Sequence, residues 1–102
     1  LIEAFILNNK VVVSWDIKTG YYIYKKSIFI KHGNKKLNLS FDLIDEFVLT
    51  DEFFGESTVV KNILKLHSGY IKNSEQNTGT IQIGFQGCAD GRYCYPPEIK
   101  NL

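Results

Sequence analysis

Several features that would direct a first reading are missing from this chain. No charge excess exists: 12 Lys and Arg stand against 11 Asp and Glu over 102 residues, and both signs are scattered. That leaves no basic stripe for a phosphate backbone and no polybasic patch for anionic lipid, which argues against nucleic acid and membrane surface as partners. Long apolar runs are missing too. The longest, Ala4-Phe5-Ile6-Leu7 and Tyr21-Tyr22-Ile23-Tyr24, are four residues each, far short of the ~18 needed to span a bilayer. Direct membrane insertion of this segment is therefore not expected. The opening residues lack the charged and apolar regions of a signal peptide, so none exists or it has been removed. Nor is there an internal repeat or a low-complexity tract.

What is present suits a folded domain. Apolar residues make up 44% and aromatics 14%, which argues against intrinsic disorder. A chain of this length buries about two-thirds of its unfolded surface. Residues 1–102 are thus expected to form a single domain with a core that needs no covalent staple.

The hydrophobic pattern has the period of strands. Val11, Val13, Trp15 and Ile17 alternate with Val12, Ser14, Asp16 and Lys18, as a half-buried strand requires. Lys18-Thr19-Gly20 reads as a hairpin signal. Tyr21 to Lys31 is β-rich, with Tyr22, Tyr24, Ile28 and Ile30 on even positions, and His32-Gly33-Asn34 closes it as a turn. Leu37, Leu39, Phe41 and Leu43 alternate again, followed by Val60, Asn62, Leu64 and Leu66, and then Ile81, Ile83 and Phe85. Ser68-Gly69 and Asn73 to Gly79 read as polar loops. Only Phe41 to Phe54 offers a helical count, through Leu43, Ile44, Phe47 and Val48; lacking a clean cap and lying among strands, it reads as strand then loop. Short strands with turn signals about every ten residues point to an all-β, immunoglobulin-like antiparallel β-sandwich.

The chain has two cysteines, Cys88 and Cys94, in the segment Gln86-Gly87-Cys88-Ala89-Asp90-Gly91-Arg92-Tyr93-Cys94-Tyr95-Pro96-Pro97. Five residues between them fit a hairpin whose thiols face each other, at a Cα separation of about 4.5–5.5 Å that permits a disulfide. One reading is a structural staple, the usual role in a small extracytoplasmic β domain. Against it, a seven-residue ring contributes only about 2.4 kcal/mol on the chain-entropy model. Parity also sets Cys88 on the face of Gln82 and Gln86, away from Ile81, Ile83 and Phe85, unless a bulge at Gly87 intervenes. The sulfur is accordingly expected near solvent, where a bridge can exchange with an incoming thiolate. Zinc would need two more ligands, and His32 and His67 stand alone in turn or strand-end contexts, so no metal is expected and both histidines read as solvated. A pairing of Cys with His as a nucleophile finds no specific support in the chain.

Gln86-Gly87-Cys88-Ala89-Asp90 followed by Tyr93-Cys94-Tyr95-Pro96-Pro97-Glu98 closely resembles the active-site hairpin of the N-terminal periplasmic domain of the thiol:disulfide interchange protein DsbD. Trp15 to Gly20 with Tyr21-Tyr22-Ile23-Tyr24 resembles the tryptophan strand and Gly-Tyr-Tyr-x-Tyr element of that family. Asp51-Glu52-Phe53-Phe54-Gly55 resembles its Asp-Glu-Phe-Tyr-Gly loop. The resemblance runs from about Ala4 to Pro97. Phe54 stands where the family often has Tyr, Gly91-Arg92 replaces a small-residue pair, and the usual N-terminal extension is missing, as in a trimmed fragment.

The resemblance implies an immunoglobulin-like domain of a longer inner-membrane protein, shuttling two electrons in the bacterial periplasm with no cofactor beyond its cysteine pair. Its electron donor would be a thioredoxin-like C-terminal domain of the same protein. Its clients would be periplasmic disulfide isomerases and the thioredoxin-like protein of cytochrome c maturation. Carried onto this chain, the donor's thiolate attacks Cys94 and expels Cys88; in the return half-cycle Cys94 attacks the client disulfide and Cys88 resolves the adduct. Arg92 near Cys94 and Asp90 near Cys88 favour Cys94 as the thiolate. The resemblance further makes Phe53, in the loop Asp51, Glu52, Phe53, Phe54, Gly55, a cap over the bridge. Tyr22, Tyr24, Asp90, Tyr93 and Tyr95 would line the site.

Overall fold

The computed structural model describes residues 1–52, 55–71 and 80–102. Residues whose alternation has period two form strands throughout: β1 (Ile2–Leu7), β2 (Lys10–Asp16), β3 (Tyr21–Tyr24), β4 (Phe29–His32), β5 (Lys35–Lys36), β6 (Leu39–Asp51), β7 (Gly55–Ser68), β8 (Ile81–Phe85), β9 (Gly87–Ala89), β10 (Tyr93–Cys94) and β11 (Glu98–Asn101), with one turn of 3-10 helix at Lys25–Ser27. Among the described residues they make two antiparallel sheets. The larger runs β1-β2-β7-β3-β9-β10 with β6 on the other edge of β7; the smaller runs β11-β8-β4-β5. Val11, Val13, Trp15, Ile23, Val60, Leu64 and Leu66 of the first face Ile30, Ile81 and Ile83 of the second in one buried core, which Ile28, at the end of the 3-10 turn, also joins. Two sheets closed over a shared apolar layer are an immunoglobulin-like β-sandwich. Among the described residues no helix is long and apolar enough to cross a membrane.

Several local expectations change on contact with the fold. The turn at Lys18-Thr19-Gly20 does not make a hairpin: β2 and β3 lie end to end on one edge of β7, pairing with Ile63 to His67 and with Val59 and Val60 respectively. The stretch from Tyr21 to Lys31 is broken by the 3-10 turn, which carries the chain from one sheet to the other. The stretch from Phe41 to Phe54, expected as strand then loop, is strand as far as Asp51, paired with β7 along its length. Its helix-like spacing has a physical source in two register shifts, between Phe41 and Leu43 and between Ile44 and Glu46, because each bulge moves the apolar alternation out of phase. Of the predicted loops, Ser68 ends β7 fully buried, its Oγ accepting the Val11 N–H at 2.9 Å, while Asn73 to Gly79 lie outside the described residues.

Neither histidine is simply solvated. His32 is 7% exposed at the end of β4, covered because it pairs with Ile81 on one side and Lys35 on the other. His67 is half-buried, with Nδ1 2.9 Å from Asp42 Oδ2. Where β4 meets β8, Phe29 lies across Gly84 so closely that a Cβ there would sit 2.0 Å from the ring. This close approach requires glycine at position 84. Trp15 packs edge-on to Phe85 at 5.6 Å between ring centres, and its indole N–H is buried with no acceptor among the described residues.

Candidate redox site at the β9–β10 hairpin

The larger sheet has two faces, and the cysteines stand on the outer one. In β3 the side chains of Tyr22 and Tyr24 point opposite to Ile23. Ile23 enters the main core, whereas Tyr22, Tyr24, Val59 and Cys88 form a second buried cluster, against which Leu49 and Cys94 pack. Cys88 is thus off the core face of Ile81 and Ile83, as parity predicts, but it shares no face with Gln82, which stands in β8 of the smaller sheet. The expectation that its sulfur lies near solvent is wrong: Cys88 is 1% exposed, because at this point the outer face is itself covered. Cys94 is half-buried.

The two cysteines are directly opposite in the β9–β10 ladder and are joined, with Cα atoms 3.9 Å apart. Tyr95 N–H donates to the Gly87 carbonyl at 2.9 Å. In an antiparallel ladder hydrogen-bonded and non-bonded pairs alternate, which makes Cys88–Cys94 a non-bonded pair. The N–H and C=O of Cys94 therefore point away from β9. Since β10 ends the sheet among the described residues, they face its edge. Cys88 is placed oppositely. Asp90 N–H donates to Gly20 O at 2.7 Å and Tyr24 N–H to Gln86 O at 3.0 Å, so the intervening pair, Tyr22 and Cys88, exchanges backbone bonds within the sheet.

The tyrosines divide by face. Tyr24 Oη is 3.5 Å from Cys94 Sγ; a bridged sulfur carries no proton, so the hydroxyl donates. Tyr22 and Tyr24 meet edge to face, 5.5 Å between centres. Tyr95 belongs to a separate group on the opposite face, the one that carries Ile23, stacked on Tyr21 at 6.4 Å and edge-on to Tyr93 at 5.0 Å. The Tyr93 and Tyr95 hydroxyls are 3.0 Å apart. That bond, with some desolvation and the Tyr21 hydroxyl, pushes the Tyr95 phenol well above the ordinary tyrosine value, so it stays neutral. Asp90 does not join the sulfur cluster; it stands at the hairpin turn, exposed, with its carboxylate 4.0 Å from Lys61 Nζ. Asp51 and Gly55 pair at the tip of the β6–β7 hairpin with Glu52 exposed between them, and Gly55 has φ 69°, a conformation that favours glycine. Phe53 and Phe54, including the expected cap, lie outside the described residues.

Leu49, Val59 and Tyr21 have a place here that sequence reasoning did not give them. The period-two pattern carried a usable signal for Val59, since it shares strand parity with Tyr24 across the β3–β7 pair; nothing marked Leu49, which lies beyond the β6 bulges. Among the described residues no group of three or more His, Cys, Asp or Glu could hold a metal ion.

Fold and site together define a class: an immunoglobulin-like sandwich whose one disulfide closes a short ring at a sheet edge, with one cysteine buried and the other half-buried. The chain belongs to the family described as Thiol:disulfide interchange protein DsbD, N-terminal, which matches residues 3–101. It is 36% identical over 105 residues to thiol:disulfide interchange protein DsbD of Pasteurella multocida (strain Pm70), covering 98% of this chain and 18% of that protein. With the Escherichia coli (strain K12) protein of the same name it shares 36% identity over 90 residues, 88% of this chain and 15% of the other. The chain thus spans less than a fifth of these relatives. Its structure resembles the Neisseria meningitidis DsbD N-terminal domain in the reduced form, with a TM-score of 0.74 and 28% identity over 97% of this chain and 78% of that one. A complex between DsbD N-terminal and PilB N-terminal domains from the same organism contains the same fold, at TM-score 0.65 and 22% identity over 100% of this chain and 79% of the matched chain.

Proposed function

We propose that residues 1–102 form one thiol-disulfide exchange domain of a longer inner-membrane protein, working in the periplasm as a protein-disulfide reductase. It accepts two electrons from a thioredoxin-like C-terminal domain of the same protein. It passes them to client disulfides, those of disulfide isomerases and of the thioredoxin-like protein of cytochrome c maturation. The observation that carries this reading is the asymmetry of the bridge: Cys88 is sealed at 1% exposure while Cys94 is half-buried on an edge strand. A thiolate must approach along the S–S axis, and the accessible sulfur is the one it can reach. Cys94 also turns its N–H and C=O to the open edge, where an extended partner segment can pair with it. The Neisseria DsbD domain occurs in complex with another protein's domain, which supports docking of this kind.

In the reductive step the donor thiolate bonds to Cys94 Sγ, the Cys88–Cys94 bond breaks, and Cys88 leaves as a thiolate that takes a proton from solvent. The donor's second thiol then bonds to its first, freeing Cys94. The Tyr24 hydroxyl, already aimed at Cys94 Sγ, stabilises the thiolate formed there. In the reverse direction Cys94 attacks the client and Cys88 closes the ring. In this reading Phe53, between Asp51 and Gly55 in sequence, caps the bridge until a partner docks.

The test is a trap. Cys88→Ala, mixed with an oxidised thioredoxin-like partner, is expected to form a mixed disulfide through Cys94, whereas Cys94→Ala leaves a buried thiol and forms none. A folded Cys88→Ala protein that forms no adduct would return the domain to the second reading, a non-catalytic binding sandwich with a structural bridge, which the burial of Cys88 favours. A potential of about −200 to −250 mV supports exchange, and one below about −300 mV supports the structural bridge.

A further inference from the structure

Strand β10 is two residues long and has β9 as its neighbour on one side. Pro96 and Pro97 follow, and neither has an N–H to give the ladder, so backbone pairing stops at Tyr95. A hydrogen-bonded pair exchanges two bonds; here, among the described residues, Tyr95 N–H reaches the Gly87 carbonyl at 2.9 Å, but the Tyr95 carbonyl is taken by a side chain. Gln86 Nε2 donates to it at 3.1 Å.

Gln86 is well placed to hold this carbonyl, because its own backbone is fixed twice. Its N–H donates to Ser27 Oγ at 2.8 Å, and Ser27 Oγ donates in turn to the Tyr24 carbonyl at 2.6 Å. Its carbonyl accepts the Tyr24 N–H at 3.0 Å. It stands where the chain leaves the smaller sheet, after Phe85, and enters the larger at Gly87. One side chain therefore ties the residue after Cys94 to the strand whose Tyr24 hydroxyl lies 3.5 Å from Cys94 Sγ.

We infer that Gln86 is a positioning residue for thiol-disulfide exchange, holding the backbone beside Cys94 so that its sulfur stays opposite Cys88 while the bridge is open. The inference rests on the exchange reading given above. With the disulfide closed, a covalent bond sets the spacing; once it is reduced, only noncovalent contacts do. In the closing step Cys88, having lost its proton to solvent, attacks Cys94 Sγ of the client adduct. The Cys88–Cys94 bond forms, the bond from Cys94 to the client breaks, and the client departs as a thiolate, the two steps together having moved two electrons to it. The rate and equilibrium of that step depend on how often Cys94 is found in line with Cys88.

Gln86→Met keeps the approximate length of the side chain and both backbone bonds and removes the side-chain amide, and with it the bond to the Tyr95 carbonyl. Loss of one such bond is expected to lower the effective concentration of the thiol pair about fivefold, measured by equilibration with reduced and oxidised glutathione. That corresponds to a potential about 20 mV higher. A merely structural role would lower the unfolding midpoints of the oxidised and reduced proteins alike and leave this equilibrium unmoved. An unmoved equilibrium in folded Gln86→Met overturns the inference. Should that variant not fold, Ser27→Ala, which loosens the backbone of Gln86 and keeps its amide, must shift the equilibrium the same way, and no shift there overturns it as well. If the unsubstituted protein does not exchange with glutathione, the functional reading fails and takes this inference with it. Normal exchange with an unmoved variant removes the inference alone.

Discussion

Asn62 sits in the middle of β7 with φ 65°, in the left-handed region that side chains other than glycine, Asn and Asp rarely enter. Its Nδ2 donates to Asp45 Oδ2 at 2.7 Å, and its carbonyl accepts the Ile17 N–H at 2.9 Å. The residue is the pivot of the bulge opposite Asp45, and it separates the part of β7 that pairs with β2 from the part that pairs with β3. Replacing it with a β-branched residue adds left-handed strain of about 1–2 kcal/mol and removes a hydrogen bond of about 1 kcal/mol. Asn62→Val is therefore expected to lose ~2–3 kcal/mol in urea unfolding, and Asn62→Gly to lose ~1 kcal/mol or less, since it keeps the conformation. Equal losses in the two variants would show that the backbone conformation contributes nothing.

Beyond that bulge the β6–β7 hairpin reaches over the outer face, where Leu49 and Val59 meet Tyr22, Tyr24 and Cys88. At its end Asp51 pairs with Gly55, and the proposed cap, Phe53, falls between them in sequence. Phe53→Ala is expected to leave the unfolding midpoint near that of the unsubstituted protein and to speed reaction of the bridge with a small thiol such as dithiothreitol by about tenfold, on the order of 1.4 kcal/mol of shielding. An unchanged stopped-flow rate would remove Phe53 from that role. The elements that sequence made legible are those with unbroken alternation, such as Val11, Val13 and Trp15 in β2 or Ile81 and Ile83 in β8. Strand β6 was obscured where its bulges reset the phase. The site was legible as chemistry in the cysteine hairpin, but its depth was not, because alternation tells which face Cys88 occupies and not what lies over that face. Gln86, Ser27 and the Tyr95 carbonyl were beyond reach for another reason: they meet through a sheet crossing and a 3-10 turn, neither of which has a period.

Taken as a whole, the molecule keeps its stabilising core and its cysteines apart. The core lies between the sheets and the bridge lies on the far side of one of them. A ring with its cysteines six positions apart restrains the unfolded chain by only about 2.4 kcal/mol. Reduction is accordingly expected to leave the protein folded, with an unfolding free energy lower by ~2 kcal/mol, measurable by urea titration with and without reductant. Unfolding on reduction would mean that the bridge holds the sandwich together, and the exchange cycle proposed above, which opens the bridge at every turn, would fail.

With Cys88 sealed inside the outer cluster, the exchange proposed above would give electrons one doorway, Cys94, for both arrival and departure. Under that proposal donor and client would call in turn at the same sulfur and the same strand edge, never together. The domain would then show ping-pong kinetics, and a large excess of either partner would slow turnover by occupying the threshold the other needs.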